Sequence, residues 1–434
     1  MTATLTDELP PAGEAPEPEA PVEAQHDRRR TGFGVATILL GLVMLVSFGL
    51  GSESGLDSTF TFSRKDVLTQ VPDLTMPARA TVLPLAILVI VAGIVVVATA
   101  WGRRHAYLVF GVSAALFTIA LLIWAARDGS VSIIGLIDGA VFRSTPLALG
   151  ALAGLLCERS GVVNIAIEGM LLTAAFTAAI TSAASGSPWV GLGAGMAAGL
   201  VLGAFLGVLS IKYQVDQIIG GTVINLFALG MTSYLAAQIL ADYPNLNEPA
   251  SFTPFGIPLL DRLPVLGPVL FDNTIYAYIM FGLVIVLWWA LFRTRWGLRV
   301  RAVGEHPRAA DTVGIKVLRT RYRSVMMGGV VAGIGGTWFT LDATGSFTEN
   351  MTFGKGYIAL AALIFGRWHP VGAFLAALLF GFTEELQTRL ALLDTPIPSD
   401  FLLMLPYIVT IVVVAGLVGR SRPPAADGQP YVAG

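Results

Sequence analysis

The sequence has few charged residues and a single cysteine. Asp, Glu, Lys and Arg make up 13% of its 434 residues, whereas soluble domains carry about 25%. This shortage excludes an ordinary soluble domain with a charged surface. Because Cys157 is the single cysteine, the sequence excludes an internal disulfide and any metal site built from several cysteines.

Several nucleotide-binding and catalytic patterns are missing as well. No G-x-x-x-x-G-K-[ST] phosphate loop is present, since the one Gly-Lys pair, Gly354–Lys355, is followed by Gly356. The four histidines are scattered and never paired at a ligand spacing, and no nucleophile is grouped with a base. We therefore predict a chain that is not an enzyme, holds no metal or other cofactor, and does not bind ATP through such a loop.

Long apolar runs occupy most of the chain instead. Hydrophobic residues make up 55% of the sequence, and the mean hydropathy is +0.73. A helix of about 20 apolar residues crosses a hydrocarbon layer of about 30 Å. We predict an all-α polytopic membrane protein of about 10–12 transmembrane segments. They lie near residues 33–50, 82–101, 106–126, 131–156, 162–184, 189–211, 217–241, 275–292, 324–342 and 402–418, with a longer region at 356–388.

The longer region at 356–388 is predicted to contain a broken or re-entrant helix. The run "GRWHP" at Gly366–Pro370 interrupts it, because Gly and Pro break helices and Arg and His are costly in lipid. Counting two segments here gives about twelve and places most of the 27 Lys and Arg residues in the cytoplasm, as the positive-inside rule requires. This topology predicts a multi-pass protein of the cell (plasma) membrane with both termini cytoplasmic.

The chain is predicted to have four parts. Residues 1–30 are rich in Pro, Ala and Glu and form a disordered acidic cytoplasmic tail. Their acidic start does not fit a cleavable signal peptide. Residues 31–130 supply three extra N-terminal spans, residues 131–422 the membrane core with a basic cytoplasmic loop at 293–323, and residues 423–434 a short C-terminal tail.

The basic loop at 293–323 carries more charge than membrane orientation needs. It holds nine of the 27 Lys and Arg residues, although a few near the span ends set the topology. Within it, Pro307 stands where a helix can begin, and Ala309–Ala310 lie about one helical turn before Gly314. We predict a short helix lying across the loop. The alternative is that the charge serves orientation alone.

One span carries a stripe of glycines at a spacing of four residues. Small residues on one helix face allow two helix backbones to approach closely. We predict tight packing within one subunit, with a subunit interface as the alternative. The glycines are Gly195, Gly199, Gly203 and Gly207.

Polar side chains inside the spans are the candidates for a transport path, because they are costly in lipid unless they face protein or water. In "CERSGVVNIAIEGM", Asn164 and Glu168 are four residues apart and are predicted to share a helix face beside the path. Thr222 and Asn225 in a later span are further candidates. The alternatives are plain interhelical hydrogen bonds for Thr222 and Asn225, and a structural ion pair between Glu168 and Arg159.

The segment "ERSGVVNIAIEGM" resembles the permease subunits of ATP-binding cassette (ABC) importers for nucleosides, within the larger group of branched-chain amino acid and ribose permeases. The resemblance continues through "WGLRVRAVGEHPRAADTVGI", "GSFTENMTFGKGYIALAALIFGRWHPVGA" and "LLMLPYIVTIVVVAGLVGR". It covers roughly residues 131–422, so the first three spans and the acidic tail lie outside it. The function that it implies is a translocation path for nucleosides. The alternatives within the group are ribose, other sugars and branched-chain amino acids.

The resemblance also implies partners for the basic loop. In such permeases the corresponding loop holds a coupling helix that docks into a separate ATPase subunit, which binds ATP and Mg. Further implied partners are a second, non-identical permease, an extracellular substrate-binding lipoprotein and a small-molecule substrate, with no nucleic acid. The residues matching the coupling motif are Glu305, Arg308, Ala309, Ala310 and Gly314. Here the acidic residue is separated from the alanine pair by three residues.

Two other classes of membrane protein fit the sequence less well than an ABC permease. A secondary transporter would need coupling-ion carboxylates at mid-membrane and usually an internal repeat, whereas the sequence offers one candidate carboxylate and no repeat. A membrane-embedded enzyme would need a catalytic grouping of side chains, and none is found.

Overall fold

The computed structural model describes residues 22–62, 71–393, 397–404, 407 and 422–432. Nine helices in these ranges are long and apolar enough to cross a membrane, which confirms the all-α polytopic class. The predicted segment at 402–418 lies largely outside the described residues. The chain divides into two compact units, one of Met1–Asp57 with Met76–Arg127 and one of Ser58–Thr75 with Asp128–Gly434.

The first unit is built from three long helices. The helices are α1 Val22–Val43, α2 Ala78–Ala98, the short α3 Ala100–Arg104 and α4 Ala106–Ala125, and α1 continues as a π-helical stretch over Met44–Leu50. Gly93 allows α2 to approach α1 closely, because a Cβ there would lie 2.8 Å from the Ile38 backbone nitrogen. Helix α1 begins at Val22, eight residues before the expected end of the tail. Residues 1–21 lie outside the described residues.

The second unit holds the remaining helices, with α5 and α12 buried at its centre. Its helices are α5 Ile133–Glu158, α6 Ile167–Ser185, α7 Pro188–Gly207, α8 Gln217–Leu235, α9 Ile275–Arg293, α10 Arg295–Glu305, α11 Pro307–Thr312, α12 Val317–Trp338, α13 Lys355–Phe365, α14 Pro370–Leu392 and α15 Ser399–Leu403. Three of the long ones, α7, α8 and α12, continue into short π-helical stretches at 208–212, 236–240 and 339–343.

Short strands lie between the helices. They are β1 Asp57–Thr61, β2 Leu74–Pro77, β3 Gly129–Ser132, β4 Phe255–Gly256 and β5 Asp272–Asn273. Strands β1 and β3 pair in parallel from Ser58 opposite Gly129 onwards, and β4 pairs antiparallel with β5. A strand needs about 9–11 residues to cross a membrane, so these are connections and not spans.

The glycine stripe of α7 lies against α12 of the same chain. A Cβ on Gly203 would lie 2.9 Å from the Val325 carbonyl oxygen, and one on Gly333 would lie 2.9 Å from the Met196 Cα. Gly195 faces Thr337 and Gly207 faces the Tyr322 ring. The two backbones are therefore nearly in contact, which is the geometry that small residues allow between membrane helices.

The second unit contains two interrupted segments. Residues 159–166 are not helical, and α6 begins only at Ile167, so the expected span start at residue 162 is corrected. The break predicted at Gly366–Pro370 is present: α13 ends at Phe365 and α14 begins at Pro370. With 11 residues, α13 is about 16 Å long at 1.5 Å per residue. It reaches only about half way through a hydrocarbon layer of about 30 Å.

The basic loop is more helical than expected. The predicted short helix is α11, which begins at Pro307, and Gly314 follows it in the left-handed region at φ +82°. Helix α10 was not predicted; its first turn is capped by the Thr294 hydroxyl, which accepts from the Gly297 N–H at 3.2 Å. Residues 317–323 of the expected loop form the first turns of α12.

Both breaks and the C-terminal residues lie at the same end of the second unit as the basic loop. The Arg159 Nε donates to the Trp368 carbonyl at 2.8 Å, and the Ala426 N–H donates to the Gly304 carbonyl at 2.8 Å. Which face of the membrane this end occupies remains a prediction from the distribution of Lys and Arg.

Candidate translocation and coupling sites

The Glu168 carboxylate joins the start of α6 to the start of α13. Its Oε1 accepts from the Thr352 hydroxyl and the Gly354 N–H, each at 2.7 Å, and its Oε2 accepts from the Gly356 N–H at 2.6 Å. Gly356 must lack a side chain, because a Cβ there would lie 2.5 Å from the Glu168 nitrogen. We call Glu168, Thr352, Gly354 and Gly356 the Glu168 clamp.

The clamp holds the carboxylate without a cation. All three donors are neutral groups, and two are backbone N–H groups around the N-terminus of α13, where the helix dipole favours negative charge. The alternative ion pair with Arg159 is not present among the described residues: Glu168 forms no salt bridge there, and the Arg159 Nε donates to the Trp368 carbonyl. Glu168 is 8% exposed, so the carboxylate faces protein.

Asn225 completes the backbone hydrogen bonding of the break before α6. Its Oδ1 accepts from the Gly169 N–H at 2.8 Å, and its Nδ2 donates to the Ile165 carbonyl at 2.8 Å. The Gly169 N–H has no intrahelical partner, because a helix leaves its first N–H groups free, and Ile165 lies in the non-helical stretch before α6. Asn225 Nδ2 also donates to the Tyr357 hydroxyl at 3.0 Å. One amide of α8 therefore ties α6 to α13.

Asn164 lies in the non-helical stretch, so the expectation that it shares a helix face with Glu168 is corrected. It is fully buried. Its Nδ2 donates to the Cys157 sulfur at 3.4 Å and to the Met170 sulfur at 3.8 Å. Its Oδ1 finds no hydrogen-bond partner in the part of the chain that the structure describes. A buried carbonyl oxygen without a hydrogen-bond donor costs free energy. Asn164 is 0% exposed, so solvent does not reach this oxygen.

The exposed side chains near the clamp include two aromatic rings and one hydroxyl. Phe353, between two clamp residues, is 77% exposed and takes a left-handed φ of +46°. Tyr357 is 47% exposed. Thr222, one turn before Asn225 on α8, is exposed and donates to its own helix at the Ile218 carbonyl.

Sequence reasoning missed Phe353 and Tyr357. Both stand in "NMTFGKGY", part of a motif on which the family resemblance rested. The available signal was an aromatic residue placed directly before a glycine at a probable helix start. It is a weak signal, because aromatic residues are common throughout membrane spans.

Charged side chains of α13 and α14 form ion pairs that the sequence did not reveal. Glu385 accepts from Arg143 Nε and Arg389 Nε, each at 2.7 Å. Lys355 Nζ lies 2.6 Å from the Glu384 carboxylate. Charges within membrane segments are usually paired with one another, so these pairs serve to hold α5, α13 and α14 together.

Some of the predicted coupling residues in and around α11 are exposed, and one of them, Ala310, is buried. Arg308 and Ala309 are exposed, and Val313, directly after the helix, is 75% exposed. Ala310 is only 3% exposed and packs in a small apolar cluster with Val303 and Val317. Gly314 is exposed, and its left-handed backbone conformation allows the turn that ends the helix. Glu305 Oε2 accepts from the Ala425 N–H at 3.1 Å.

The described residues thus combine a polytopic helical core, a buried carboxylate clamp at two interrupted helices and a helical loop between the spans, an arrangement that suits a membrane permease. Residues 136–414 match the family model described as "Branched-chain amino acid transport system / permease component". The match covers more than half of the chain, and the chain belongs to this permease family.

Individual relatives agree with this assignment. The guanosine ABC transporter permease protein NupQ of Bacillus subtilis is 40% identical over 308 residues, which are 69% of this chain and 97% of NupQ. The nucleoside ABC transporter permease protein NupC of Lactococcus lactis is 36% identical over 67% of this chain and 94% of NupC. The putative glucose ABC transporter permease protein TsgC13 of Haloferax volcanii is 32% identical over 66% of this chain and 93% of TsgC13.

A second Bacillus subtilis protein is also similar but more distant. The guanosine ABC transporter permease protein NupP is 26% identical over 68% of this chain and 82% of NupP. No solved structure matches the chain.

Proposed function

We propose that this chain is the membrane-spanning permease subunit of an ABC importer that carries nucleosides. The observation that carries the proposal is the 40% identity to a guanosine permease protein across 97% of that protein's length. Similarity of that extent includes the helix break, the clamp segment and the basic loop, and is not confined to apolar spans.

The substrate path runs past the Glu168 clamp. Thr222, Phe353 and Tyr357 form its accessible surface, and Asn164, Glu168 and Asn225 form the layer that supports it. Two exposed aromatic rings suit a nucleobase, because a flat base stacks on an aromatic face, and a hydroxyl suits the polar edge of a base or sugar. The exposure of Phe353, 77%, is the geometric support for this placement.

The partners follow from the same proposal. A separate ATPase subunit binds ATP and Mg, hydrolyses ATP, and docks at α11, so this chain has no catalytic role. A second permease subunit completes the path and differs from this one, which the presence of two distinct guanosine permease proteins in Bacillus subtilis supports. An extracellular lipoprotein delivers the substrate. The basic loop and both termini face the cytoplasm, as the distribution of Lys and Arg predicts.

A sugar is the second candidate substrate. The similarity to a putative glucose permease, 32% identity over 93% of its length, favours it specifically. A nucleoside contains a pentose, so a path for either substrate needs hydroxyl-binding groups. The aromatic rings discriminate between them, since a free sugar has no base to stack.

Transport in proteoliposomes tests the proposal. The full complex of both permeases, the ATPase and the lipoprotein is reconstituted, and uptake of labelled guanosine is measured with ATP on the cytoplasmic side. We expect ATP-dependent uptake that an excess of unlabelled adenosine or uridine reduces and an excess of ribose, glucose or leucine does not. Uptake that only a sugar inhibits would replace the nucleoside by a sugar. Vesicles carrying a hydrolysis-deficient ATPase are the control for leakage.

A further inference from the structure

The C-terminal residues cross the basic loop as an ordered segment. The Ala426 N–H donates to the Gly304 carbonyl at 2.8 Å, and the Ala425 N–H donates to Glu305 Oε2 at 3.1 Å. Arg321 Nη1 donates to the Gln429 carbonyl at 2.9 Å. We call residues 424–431 the C-terminal strap. It lies beyond residue 414, where the family match ends.

Tyr431 fastens the strap to α11. It is 8% exposed and packs in one cluster with Ala310, Val303 and Val317. Its hydroxyl donates to Asp311 Oδ2 at 2.8 Å. The buried side of α11 is therefore built partly from the strap, and this explains why Ala310 is hidden.

The strap compensates for the shortness of α11. The helix has six residues, and isolated helices shorter than about 12–15 residues are marginal in water. Its position therefore depends on tertiary contacts. Those contacts come from α10, from the start of α12 and from Tyr431, so the strap supplies one of the three sides that hold the helix.

The other side of the strap reaches the break between α5 and α6. Asp427 lies beside Glu158 and Arg321, and a Cβ on Gly161 would lie 3.0 Å from the Ala426 carbonyl oxygen. Glu158 in turn accepts from the Trp368 indole N–H at the turn before α14. The strap thus touches both the coupling helix and the end of the segments that carry the Glu168 clamp.

We propose that the C-terminal strap is part of the docking surface for the ATPase subunit. It holds α11 in place, and the exposed Val432 directly after the strap, 70% accessible, adds to the exposed Val313 directly after the helix, 75% accessible. The inference rests on the proposed function, in which a separate ATPase docks at α11. The partner is that ATPase because both apolar side chains flank this helix outside the membrane spans, where lipid does not cover them.

Binding of the purified ATPase to the full permease complex in nanodiscs tests the proposal. Tyr431→Ala removes the ring from the α11 cluster and should weaken binding by about tenfold or more, which corresponds to about 1.4 kcal/mol. Tyr431→Phe keeps the ring and loses only the Asp311 hydrogen bond, so a loss of about two- to fivefold is expected. The matched control is Tyr243→Ala, a tyrosine that is 60% exposed and lies between α8 and α9.

A surface variant guards against a folding defect. Val432→Asp changes an exposed side chain outside the buried cluster, so the fold should be kept while binding weakens by about tenfold. Equal ATPase affinity in the wild type, Tyr431→Ala and Val432→Asp overturns this inference and leaves the proposed function intact. Tighter binding after removal of residues 424–434 overturns it too, because the strap would then obstruct the ATPase. A wild-type complex that does not bind the ATPase overturns the proposed function as well.

Discussion

Replacing Glu168 by Gln separates a structural role of this residue from direct contact with substrate. The substitution keeps the shape of the side chain but leaves one acceptor oxygen in place of two. The clamp presents two donors to Oε1 and one to Oε2. With the amide oxygen at the Oε1 position, its NH2 group faces the Gly356 N–H, and two donors then oppose each other.

The size of the effect follows from these contacts. A hydrogen bond to a charged acceptor contributes about 1.5–3 kcal/mol, and a buried donor left without a partner costs about 1–3 kcal/mol. Neutral hydrogen bonds between membrane helices average nearer 0.6 kcal/mol, because the unfolded chain in the membrane finds other partners. We therefore expect Glu168→Gln to lower the free energy of unfolding by about 2 kcal/mol. Thr352→Val removes one of the three donors and leaves both carboxylate oxygens hydrogen-bonded, so it should lower the free energy of unfolding by less than Glu168→Gln does.

Thermal unfolding of the purified chain in nanodiscs, measured together with uptake and protein yield, checks this expectation. Glu168→Gln should lower the Tm by a few degrees and reduce yield and uptake together. Thr118→Val is the matched control, since that hydroxyl donates within its own helix, to the Ala114 carbonyl, and lies outside the proposed path. A Glu168→Gln protein with unchanged Tm and yield but no uptake would refute the clamp reasoning and place the carboxylate in direct contact with the substrate.

Three further predictions concern the path, the strap and the topology. Phe353→Ala should reduce guanosine uptake about fivefold or more, at unchanged yield, because base stacking on an aromatic ring contributes about 1–3 kcal/mol; competition assays in proteoliposomes measure it. Burial raises the pKa of Asp427, so the docked strap favours the protonated form and should loosen as the pH rises above the ordinary carboxyl range; hydrogen exchange of residues 424–432 should show this, and Asp427→Asn should weaken the dependence. In a Cys157→Ser background, cysteines placed at Arg367 and at Ala309 should react with an impermeant reagent from the same side of the membrane, and labelling from opposite sides would contradict the shared end described above.

The hydrophobic spans and the break at Gly366–Pro370 could be predicted because each depends only on residues that are close together in the sequence. A run of about 20 apolar residues has few alternatives to a membrane helix, and a Gly and a Pro within five residues end a helix wherever it lies. The short helix at Pro307 is local in the same sense. Helix α10 was missed because its charged residues were attributed to a loop, although Gly297, Val300 and Val303 are buried at the spacing of one helix face.

The partners of the functional residues could not be predicted, because they lie far away in the chain. Glu168 meets donors that are 184 and more residues distant, and Tyr431 meets Asp311 across 120 residues. One sequence gives no information on such pairs. The alternative pairing of Glu168 with Arg159 is an example. Opposite charges close together in the sequence suggested an ion pair, whereas the donors to Glu168 are a hydroxyl and two backbone N–H groups at the start of a helix far along the chain.

The close approach of α7 and α12 determines where this protein can bend. Gly199 faces the backbone of Gly329 and Gly333, so no side chain is available at this contact to change rotamer and let one helix slide past the other. The two helices should move as one rigid body in any transport cycle. We expect opening and closing to involve the interrupted segments instead, residues 159–166 and 366–369, which both lie at the end where the ATPase is proposed to dock. A crosslink between α7 and α12 should therefore leave transport intact, whereas one across a break should stop it.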